Sequence, residues 1–247
     1  MCGTRPVCHP DAASAVDSIA MQELSAGPDA VLLDFTDEAD PARTALDVAA
    51  ALRGAMNDGH LVGVEDLIPS ATSILVQGST GGGVDVLGIH RVLRAADRPS
   101  TADEAVRHVE IPVHYDGEDL DDVAATLGLS VDDVIEAHRG SRWRVQFMGF
   151  APGFGYLVPA EDTTNPLLSV ARRSHARTRV PTGSVAIAAG YSAIYPRDSP
   201  GGWNLLGRTD VELWNESGEP PALLAPGTVV RFTDAEIDDA PVSYTHL

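Results

Sequence analysis

The sequence predicts an α+β protein in which a small α/β domain precedes a mostly β domain. Apolar residues at helical spacing alternate with short apolar runs up to Ala95, whereas strand and turn patterns follow one another from Arg142 to Phe232. Asp97–Ser100 (DRPS) lies between the two patterns and is typical of a linker. The predicted divisions are an irregular N-terminal extension at 1–20, an α/β domain at 21–96, a closed or nearly closed β domain at 101–235 and an irregular tail at 236–247.

The elements of the first domain follow from apolar spacing. Val31–Phe35 is a short apolar run typical of a strand. Asp40 and Pro41 then supply an N-cap and a first-turn proline, and helical spacing continues to Met56, which predicts an amphipathic helix over Pro41–Met56. The other elements predicted in this domain are strands at Leu61–Ile68 and Ser73–Gln77 and a helix at Val84–Ala95. The glycine-rich stretch at 78–83 predicts a flexible loop more strongly than a phosphate-binding loop, because no Lys-Ser or Lys-Thr follows it.

The second domain is predicted to begin with a strand at His108–His114 and two short helices. The first helix stops at Gly128, and Ser130 with Asp133 forms a capping box for the second. The spacing is similar to that of a helix-turn-helix, but the second helix carries acidic side chains where a DNA-reading helix needs basic or amide groups. We therefore predict a helical pair that packs on the β domain.

Composition excludes several classes of chemistry. The chain has 247 residues and a net charge of −19, and all 17 basic residues are arginine. The lack of lysine excludes a Schiff base, a P-loop lysine, a biotinyl-lysine and a Ser–Lys amidase centre. The acidic field repels nucleic acid and anionic membranes. Because the sequence contains neither a long apolar run nor a signal-peptide pattern, we expect a soluble, cytoplasmic protein.

Candidate metal ligands are sparse. Cys2 and Cys8 are the only cysteines, and no His or Cys cluster with zinc spacing follows them. His114 and His138 could meet in the fold, but the sequence indicates no third ligand. We therefore predict no metal site.

Thr178–Thr209 is the segment richest in candidate binding groups. Val-Pro-Thr-Gly, Tyr-Pro-Arg-Asp and Ser-Pro-Gly-Gly-Trp-Asn form three turn signals within it. The side chains between them that can bind anions, stack or donate hydrogen bonds are Arg179, Ser184, Tyr191, Tyr195, Arg197, Trp203, Asn204 and Arg208. This set indicates a binding surface, although tight corners with Trp203 in the core would leave a similar pattern.

A second aromatic segment, Phe147–Leu157 (FMGFAPGFGYL), has the same ambiguity. Its Pro-Gly pair at 152–153 fits the two central positions of a type II turn. Tyr156 and the phenylalanines around the turn belong either to the core or to the wall of a pocket.

Four motifs in order carry a family resemblance. They are GFAPGFGYL, RTRVPTGSVAIA, IYPRDSPGGWNLLGRT and PPALLAPGTVVRF, and IPVHYDGEDL with His138 fits as well. From about Met21 to Phe232 the chain resembles the KipI/PxpB family, also called allophanate hydrolase subunit 1 or the carboxyltransferase C/D domain. The resemblance implies an N-terminal α/β domain followed by a cyclophilin-like β-barrel.

The resemblance also implies a function in an assembly. The implied protein is the B-type subunit of an ATP-dependent 5-oxoprolinase-like complex, which hydrolyses 5-oxoproline or a related lactam or amide to glutamate. Its implied partners are a C-type (allophanate hydrolase subunit 2-like) subunit, separate or fused, and an A-type subunit, and ATP is the expected cofactor. Two alternatives stay open: a KipI-like histidine-kinase inhibitor, and the carboxyltransferase half of a urea carboxylase-type system.

The chain departs from the family pattern at three places. Ala171 precedes Arg172 and Ala176 precedes Arg177, where the family usually has prolines. After the SVAIA strand the family usually has Gly-Gly-Gln, whereas this chain has Ala189-Gly190-Tyr191. The glutamine amide is thus replaced by a phenol at an expected pocket edge.

The resemblance and the chemistry of the side chains together assign expected roles. The predicted catalytic residues are Arg179, Ser184 and Arg208, and the predicted substrate-binding residues are Tyr156, Tyr191, Tyr195, Trp203 and Asn204. Arg179 and Arg208 would hold the charged oxygens of an anionic intermediate, while the aromatic rings form apolar walls. Ser184, Tyr195 and Asn204 would orient the amide.

Overall fold

The structure, a computed structural model, describes residues 19–95, 106–161, 164–235 and 244–245. Its strands are β1 (Gln22–Ser25), β2 (Ala30–Asp34), β3 (Val64–Pro69), β4 (Ser73–Gly78), β5 (His108–Val113), β6 (Arg142–Met148), β7 (Gly155–Pro159), β8 (Arg177–Val180), β9 (Ser184–Ala188), β10 (Tyr191–Ile194), β11 (Ser199–Gly201), β12 (Asn204–Arg208), β13 (Val229–Asp234) and β14 (Tyr244–Thr245). Its helices are α1 (Pro41–Asn57), α2 (Val86–Ala95), α3 (Leu120–Leu127), α4 (Val131–Arg139) and a 3-10 helix (Pro166–Ser169). Cys2, Cys8 and the predicted linker at 97–100 lie outside the described residues. No described helix is long and apolar enough to cross a membrane.

The first sheet has four antiparallel strands in the order β1-β2-β4-β3. Helices α1 and α2 cover one of its faces, and the shared core includes Leu33, Leu52, Ile74 and Ile89. The predicted cap of α1 is confirmed, because the Asp40 side chain accepts a hydrogen bond from the Arg43 amide at 3.0 Å. The sequence pattern does not predict β1, since the side chains of this strand are all exposed and leave no apolar alternation.

The second sheet has eight strands in the order β12-β9-β10-β7-β6-β13-β5-β14 and curls into a half-barrel. Neighbouring strands are antiparallel except β13 and β5, which run parallel. The buried core includes Trp143, Leu157, Ile187 and Phe232 and is separate from the core of the first sheet. Mixed α/β architecture is therefore confirmed, and the domain boundaries stay a prediction. The tail is predicted to be irregular, but β14 within it pairs with β5.

The two short helices pack against this sheet, α3 on β12 and α4 on β13. Gly128 ends α3 with a φ of 68°, and the Ser130–Asp133 capping box of α4 is present in both directions. Acidic side chains lie in the first turn of each helix, where they complement the helix dipole. The prediction of a packed helical pair is confirmed.

A two-stranded sheet, β8 with β11, lies beside the half-barrel. This small sheet and the segment at 170–176 lie next to the start of β12. Trp203, just before β12, is buried there. Arg173 donates its backbone N–H to Gly202 O at 2.8 Å, and Asn204 donates from its side-chain amide to Ala171 O at 2.9 Å. These bonds hold the arginine-rich segment against the region where the aromatic motifs meet.

Candidate functional site

Seven aromatic side chains from three parts of the sequence, 147–156, 191–195 and Trp203, meet beside the eight-stranded sheet. We call them the aromatic cluster: Phe147, Phe150, Phe154, Tyr156, Tyr191, Tyr195 and Trp203. The ring centroids of Phe147 and Tyr156 are 4.3 Å apart in a stacked pair. Tyr156 lies 5.5 Å from Tyr191 and 5.7 Å from Trp203 in edge-to-face contacts. Such geometries are the preferred ones for aromatic pairs, so the cluster is both packed and ordered.

Strand alternation explains why these side chains converge. Tyr156 on β7 and Phe147 on β6 are opposite partners across a β-bulge. Tyr191 begins β10, whose partner strands are β7 and β9. Directly opposite residues point to the same face of a sheet. The cluster therefore collects on the face formed by β6, β7 and β10.

The loop before β7 presents Phe150 at the edge of the cluster. Its Pro-Gly turn is confirmed, because Gly153 has a φ of 83° and Phe154 N donates to Ala151 O at 3.0 Å. Phe150 has a φ of 65°, which is unusual for a bulky side chain, and 57% of its surface is exposed. Its ring centroid lies 5.1 Å from that of Phe154. The loop thus holds an exposed phenyl ring in a strained backbone conformation beside the cluster.

Tyr195 and Trp203 form the floor of the cluster. Both are almost fully buried, and the Phe154 ring centroid lies 5.4 Å from that of Tyr195 and 5.7 Å from that of Trp203. A Cβ at Gly201 would approach the Tyr195 hydroxyl oxygen to 2.3 Å, so only glycine fits there. Burial raises the pKa of Tyr156, Tyr191 and Tyr195. All three phenols therefore stay protonated near neutral pH and can act as hydrogen-bond donors.

A charged side chain covers this floor. The Cζ atom of Arg172 lies 6.0 Å from the centroid of the Trp203 ring, within the range of a cation–π contact. The side chain is exposed, and among the described residues no carboxylate forms an ion pair with it. The positive charge of Arg172 lowers the pKa of Tyr156 and Tyr195, although burial raises it by more. The charge therefore lies near both phenols.

The neighbouring arginines are instead anchored on one buried carboxylate. Asp119 is 1% exposed, and its Oδ1 accepts hydrogen bonds from Arg173 Nη1 and, at 2.9 Å, from Arg177 Nη2. Its Oδ2 accepts from the backbone N–H of Leu205 at 2.7 Å. Sequence reasoning missed Asp119, although it lies within the quoted motif IPVHYDGEDL. Asp119 occupies the N-cap position of α3, but its side chain makes no capping hydrogen bond.

The three predicted catalytic residues do not form one set. Ser184 and Arg208 are direct partners across β9 and β12, whereas Arg179 lies on the separate sheet of β8 and β11. Each of the two arginines is paired with a local carboxylate: Arg179 Nη2 lies 2.6 Å from Asp198, and Arg208 Nε lies 2.9 Å from Asp116. The structure therefore places the two arginines in two separate, exposed ion pairs.

The polar side chains of Ser184 and Asn204 form hydrogen bonds to backbone carbonyls of the fold. Ser184 is buried and its Oγ donates to Pro181 O at 2.8 Å, closing the turn before β9. The amide of Asn204 donates to Ala171 O at 2.9 Å and to Ile187 O at 3.3 Å. Both groups stabilise the walls of the site. Of the five residues predicted to bind substrate, the four aromatic ones lie in the cluster.

His138 is a buried structural residue. Its Nδ1 is 2.9 Å from the Tyr115 hydroxyl and its Nε2 is 2.9 Å from Ser192 Oγ, so both ring nitrogens have partners. Its ring stacks on Phe232 with centroids 4.3 Å apart. Complete burial lowers the pKa of His138 to about 3, which keeps the ring neutral. Among the described residues, no group of three His, Cys, Asp or Glu side chains is arranged to hold a metal ion.

A depression lies away from the aromatic cluster. It has a volume of about 540 Å³, and its lining includes Arg107, Asp210 and Glu212. None of its lining residues belongs to the aromatic cluster. Charges of both signs face it, so its lining selects no single class of ligand.

The comparison with known proteins identifies the family. Residues 21–224 match the family model described as carboxyltransferase domain, subdomain C and D. The chain belongs to this family. The B-type subunit of 5-oxoprolinase from Escherichia coli O157:H7 is 37% identical over 172 residues, which cover 68% of this chain and 77% of that protein. The B-type subunit of 5-oxoprolinase from Bacillus subtilis (strain 168) is 40% identical over 129 residues, which cover 51% of this chain and 52% of that protein. The family prediction, KipI/PxpB, is confirmed.

A solved structure agrees with this assignment. The crystal structure of TTHA0988 superposes with a TM-score of 0.71 at 36% sequence identity. The match covers 86% of this chain but 41% of the TTHA0988 chain. The present chain therefore spans less than half the length of this relative.

Proposed function

We propose that the chain is the B-type subunit of an ATP-dependent 5-oxoprolinase-like hydrolase. The observation that carries the proposal is the aromatic cluster beneath Arg172, in a chain 37% and 40% identical to two proteins named as the B-type component of 5-oxoprolinase. The substrate is 5-oxoproline or a related small lactam or amide, which the assembled complex opens to a product such as glutamate.

The chemistry of the site suits the binding of such a substrate. A lactam ring is small and planar, so it can stack on the exposed faces of aromatic side chains such as Tyr156. The protonated phenols of Tyr156 and Tyr191 can donate to the lactam carbonyl, since burial raises the pKa of both groups. Orientation of the amide bond in this way is a large part of catalysis in any hydrolase.

Turnover is assigned to the assembly. The side chains with catalytic chemistry nearest the cluster are engaged: Ser184 closes a turn, Arg179 pairs with Asp198, and Arg208 pairs with Asp116. The activated nucleophile and the ATP-dependent step therefore come from a C-type partner and an A-type subunit. In this proposal the eight-stranded sheet is the cyclophilin-like barrel, the four-stranded sheet is a separate domain, and the complex works in the cytoplasm.

Reconstitution tests the proposal. The chain from Met21 onward is co-expressed with the C-type and A-type subunits encoded beside it, and glutamate release from 5-oxoproline plus ATP is measured. Omission of each chain in turn is the control, and ATP-dependent release that needs all three supports the proposal. A stable but inactive complex contradicts the substrate. Avidin-sensitive carboxyl transfer favours a carboxyltransferase half, and failure to assemble, with inhibition of a histidine kinase, favours a KipI-like inhibitor.

A further inference from the structure

We propose that Arg172, which lies over the ring of Trp203, is a carboxylate-binding subsite for a small planar amide that carries its own carboxylate. The inference rests on the proposed function for the identity of the ligand, and it names the group that the site recognises. Sequence reasoning assigned this role to Arg179 and Arg208, which the structure pairs with other carboxylates.

The charge distribution is the first argument. The chain carries a net charge of −19, so an arginine left without an acidic partner in its own fold is unexpected. Arg173 and Arg177, on the same segment, both bind Asp119. Arg172 makes no ion pair with any carboxylate among the described residues, and Trp203 is the partner that the structure gives it. Its charge is therefore available to an anionic ligand.

The geometry of the stack is the second argument. A guanidinium that lies over an aromatic face keeps its N–H groups in its own plane, where they can form two parallel bonds to a carboxylate. The contact with Trp203 also restricts the guanidinium, which lowers the entropy lost when a ligand binds. A ligand held in this way has its ring against the aromatic cluster and its carboxylate at the rim.

The anchoring of the segment is the third argument. The Asp119 carboxylate accepts hydrogen bonds from the side chains of Arg173 and Arg177, and Gly202 O accepts one from the backbone N–H of Arg173. Two buried donors in this segment, Arg173 Nε and Arg177 Nη1, have no hydrogen-bond partner among the described residues. Buried polar groups in native proteins are nearly always paired, with protein, water or a ligand, so these donors are available to an acceptor. The charge of Arg177 also reaches the Tyr195 phenol, as that of Arg172 does.

Binding to the full-length chain alone tests this inference independently of turnover. The probes are 5-oxoproline and 2-pyrrolidinone, which has the same lactam ring without the carboxylate, and binding is followed by calorimetry. The wild-type chain should bind 5-oxoproline at least tenfold more tightly than 2-pyrrolidinone. The Arg172→Gln variant should lose about tenfold to a hundredfold in affinity for 5-oxoproline, the range expected for a charge-assisted bond, and none for 2-pyrrolidinone.

Two further variants make the result specific. Arg231→Gln removes the same charge from an exposed residue on β13 that faces Glu110, and it should leave both affinities unchanged. Arg172→Lys keeps the charge but lacks the planar fork, so it should recover only part of the lost affinity. Urea unfolding of each variant checks that the fold is intact.

Each outcome separates the subsite from the proposed function. Equal losses for both probes in Arg172→Gln, wild-type affinity in that variant, or no saturable binding of 5-oxoproline by the wild-type chain overturns the subsite. Arg172-dependent binding without turnover by the assembled complex retains the subsite and overturns the function. Turnover by the complex with an unchanged KM in Arg172→Gln retains the function and overturns the subsite.

Discussion

Arg177 donates a 2.9 Å hydrogen bond to the buried carboxylate of Asp119, although the two residues lie 58 positions apart in the sequence. The same carboxylate binds Arg173 and the backbone N–H of Leu205. Asp119 therefore joins the start of α3, the arginine-rich segment and β12 at one point. It defines the position of the segment that carries Arg172 over Trp203.

Replacement of Asp119 by asparagine should destabilise the protein strongly. Asparagine can still accept from Leu205 but removes the negative charge that compensates two partly buried guanidinium groups. Loss of one partner from a buried ion pair costs about 3 kcal/mol or more. The free energy of unfolding is measured by urea denaturation at pH 7.

Asp116→Asn is the matched control, since it removes the same charge three residues away. Asp116 pairs with Arg208 on the surface, where both side chains are about half exposed. Surface ion pairs contribute less than about 1 kcal/mol, so this variant should unfold near the wild-type midpoint. A similar loss of unfolding free energy in the two variants would show that the ion pairs of Asp119 stabilise the fold no more than that of Asp116.

The buried imidazole of His138 should make stability fall as the pH is lowered. Burial lowers the pKa of His138 to about 3 in the folded state, whereas the ordinary value is 6.5. Between these values the unfolded chain binds a proton that the folded chain does not, so protonation favours unfolding. The free energy of unfolding should therefore lose about 2 kcal/mol from His138 between pH 7 and pH 5.

His138→Gln isolates this effect. The amide of glutamine can exchange hydrogen bonds with Ser192 but does not titrate. The variant should be less stable at pH 7, because it leaves Tyr115 without its ring partner, yet its stability should depend less on pH than that of the wild type. Urea denaturation of both proteins at pH 7 and pH 5 gives the difference. An equal pH dependence in the two proteins would assign the acid sensitivity to other groups.

The aromatic part of the site could be predicted from the sequence, and its ionic part could not. The resemblance and the side-chain chemistry put Tyr156, Tyr191 and Trp203 in one expected site, and the structure brings their rings close together. The partners of an arginine depend on which distant carboxylate the fold brings close. Asp198 lies 19 residues from Arg179, and Asp119 lies 58 residues from Arg177. Residue type alone therefore indicated which side chains could bind an anion, but not which carboxylates they pair with in the fold.

Ala189→Gly should stabilise the protein. Ala189 and Gly190 form the two-residue turn between β9 and β10, and Ala189 has a φ of 50°. This backbone region costs an L-residue about 1–2 kcal/mol, part of which is offset by the greater freedom of glycine in the unfolded chain. We expect a net gain of about 0.5–1 kcal/mol in the free energy of unfolding.

Ala188→Gly provides the control for that substitution. Ala188 is fully buried in β9, where glycine gives no relief of backbone strain and removes a packed methyl group. This variant should lose stability while Ala189→Gly gains it, as measured by thermal and urea unfolding. A loss of stability in Ala189→Gly would mean that the methyl group at this exposed turn makes a contact worth more than the strain.

Phe150 is expected to contribute to function at the expense of stability. A phenylalanine with a φ of 65° is strained, and such residues persist where function requires their position. Asparagine tolerates this backbone conformation, so Phe150→Asn should change the free energy of unfolding by less than about 1 kcal/mol. Because the phenyl ring borders the aromatic cluster, the same variant should lower glutamate release by the assembled complex at least tenfold.

Leu87→Asn distinguishes this role from a general effect of removing an exposed apolar side chain. Leu87 is 73% exposed on α2, and its replacement should leave glutamate release unchanged. Glutamate release at the wild-type rate in Phe150→Asn would show that the complex does not need the phenyl ring. If Phe150→Asn lowers release and raises KM for 5-oxoproline, the ring contacts the substrate. The third outcome is lower release with an unchanged KM and weaker assembly of the complex in gel filtration. It would mean that the ring contacts the partner protein.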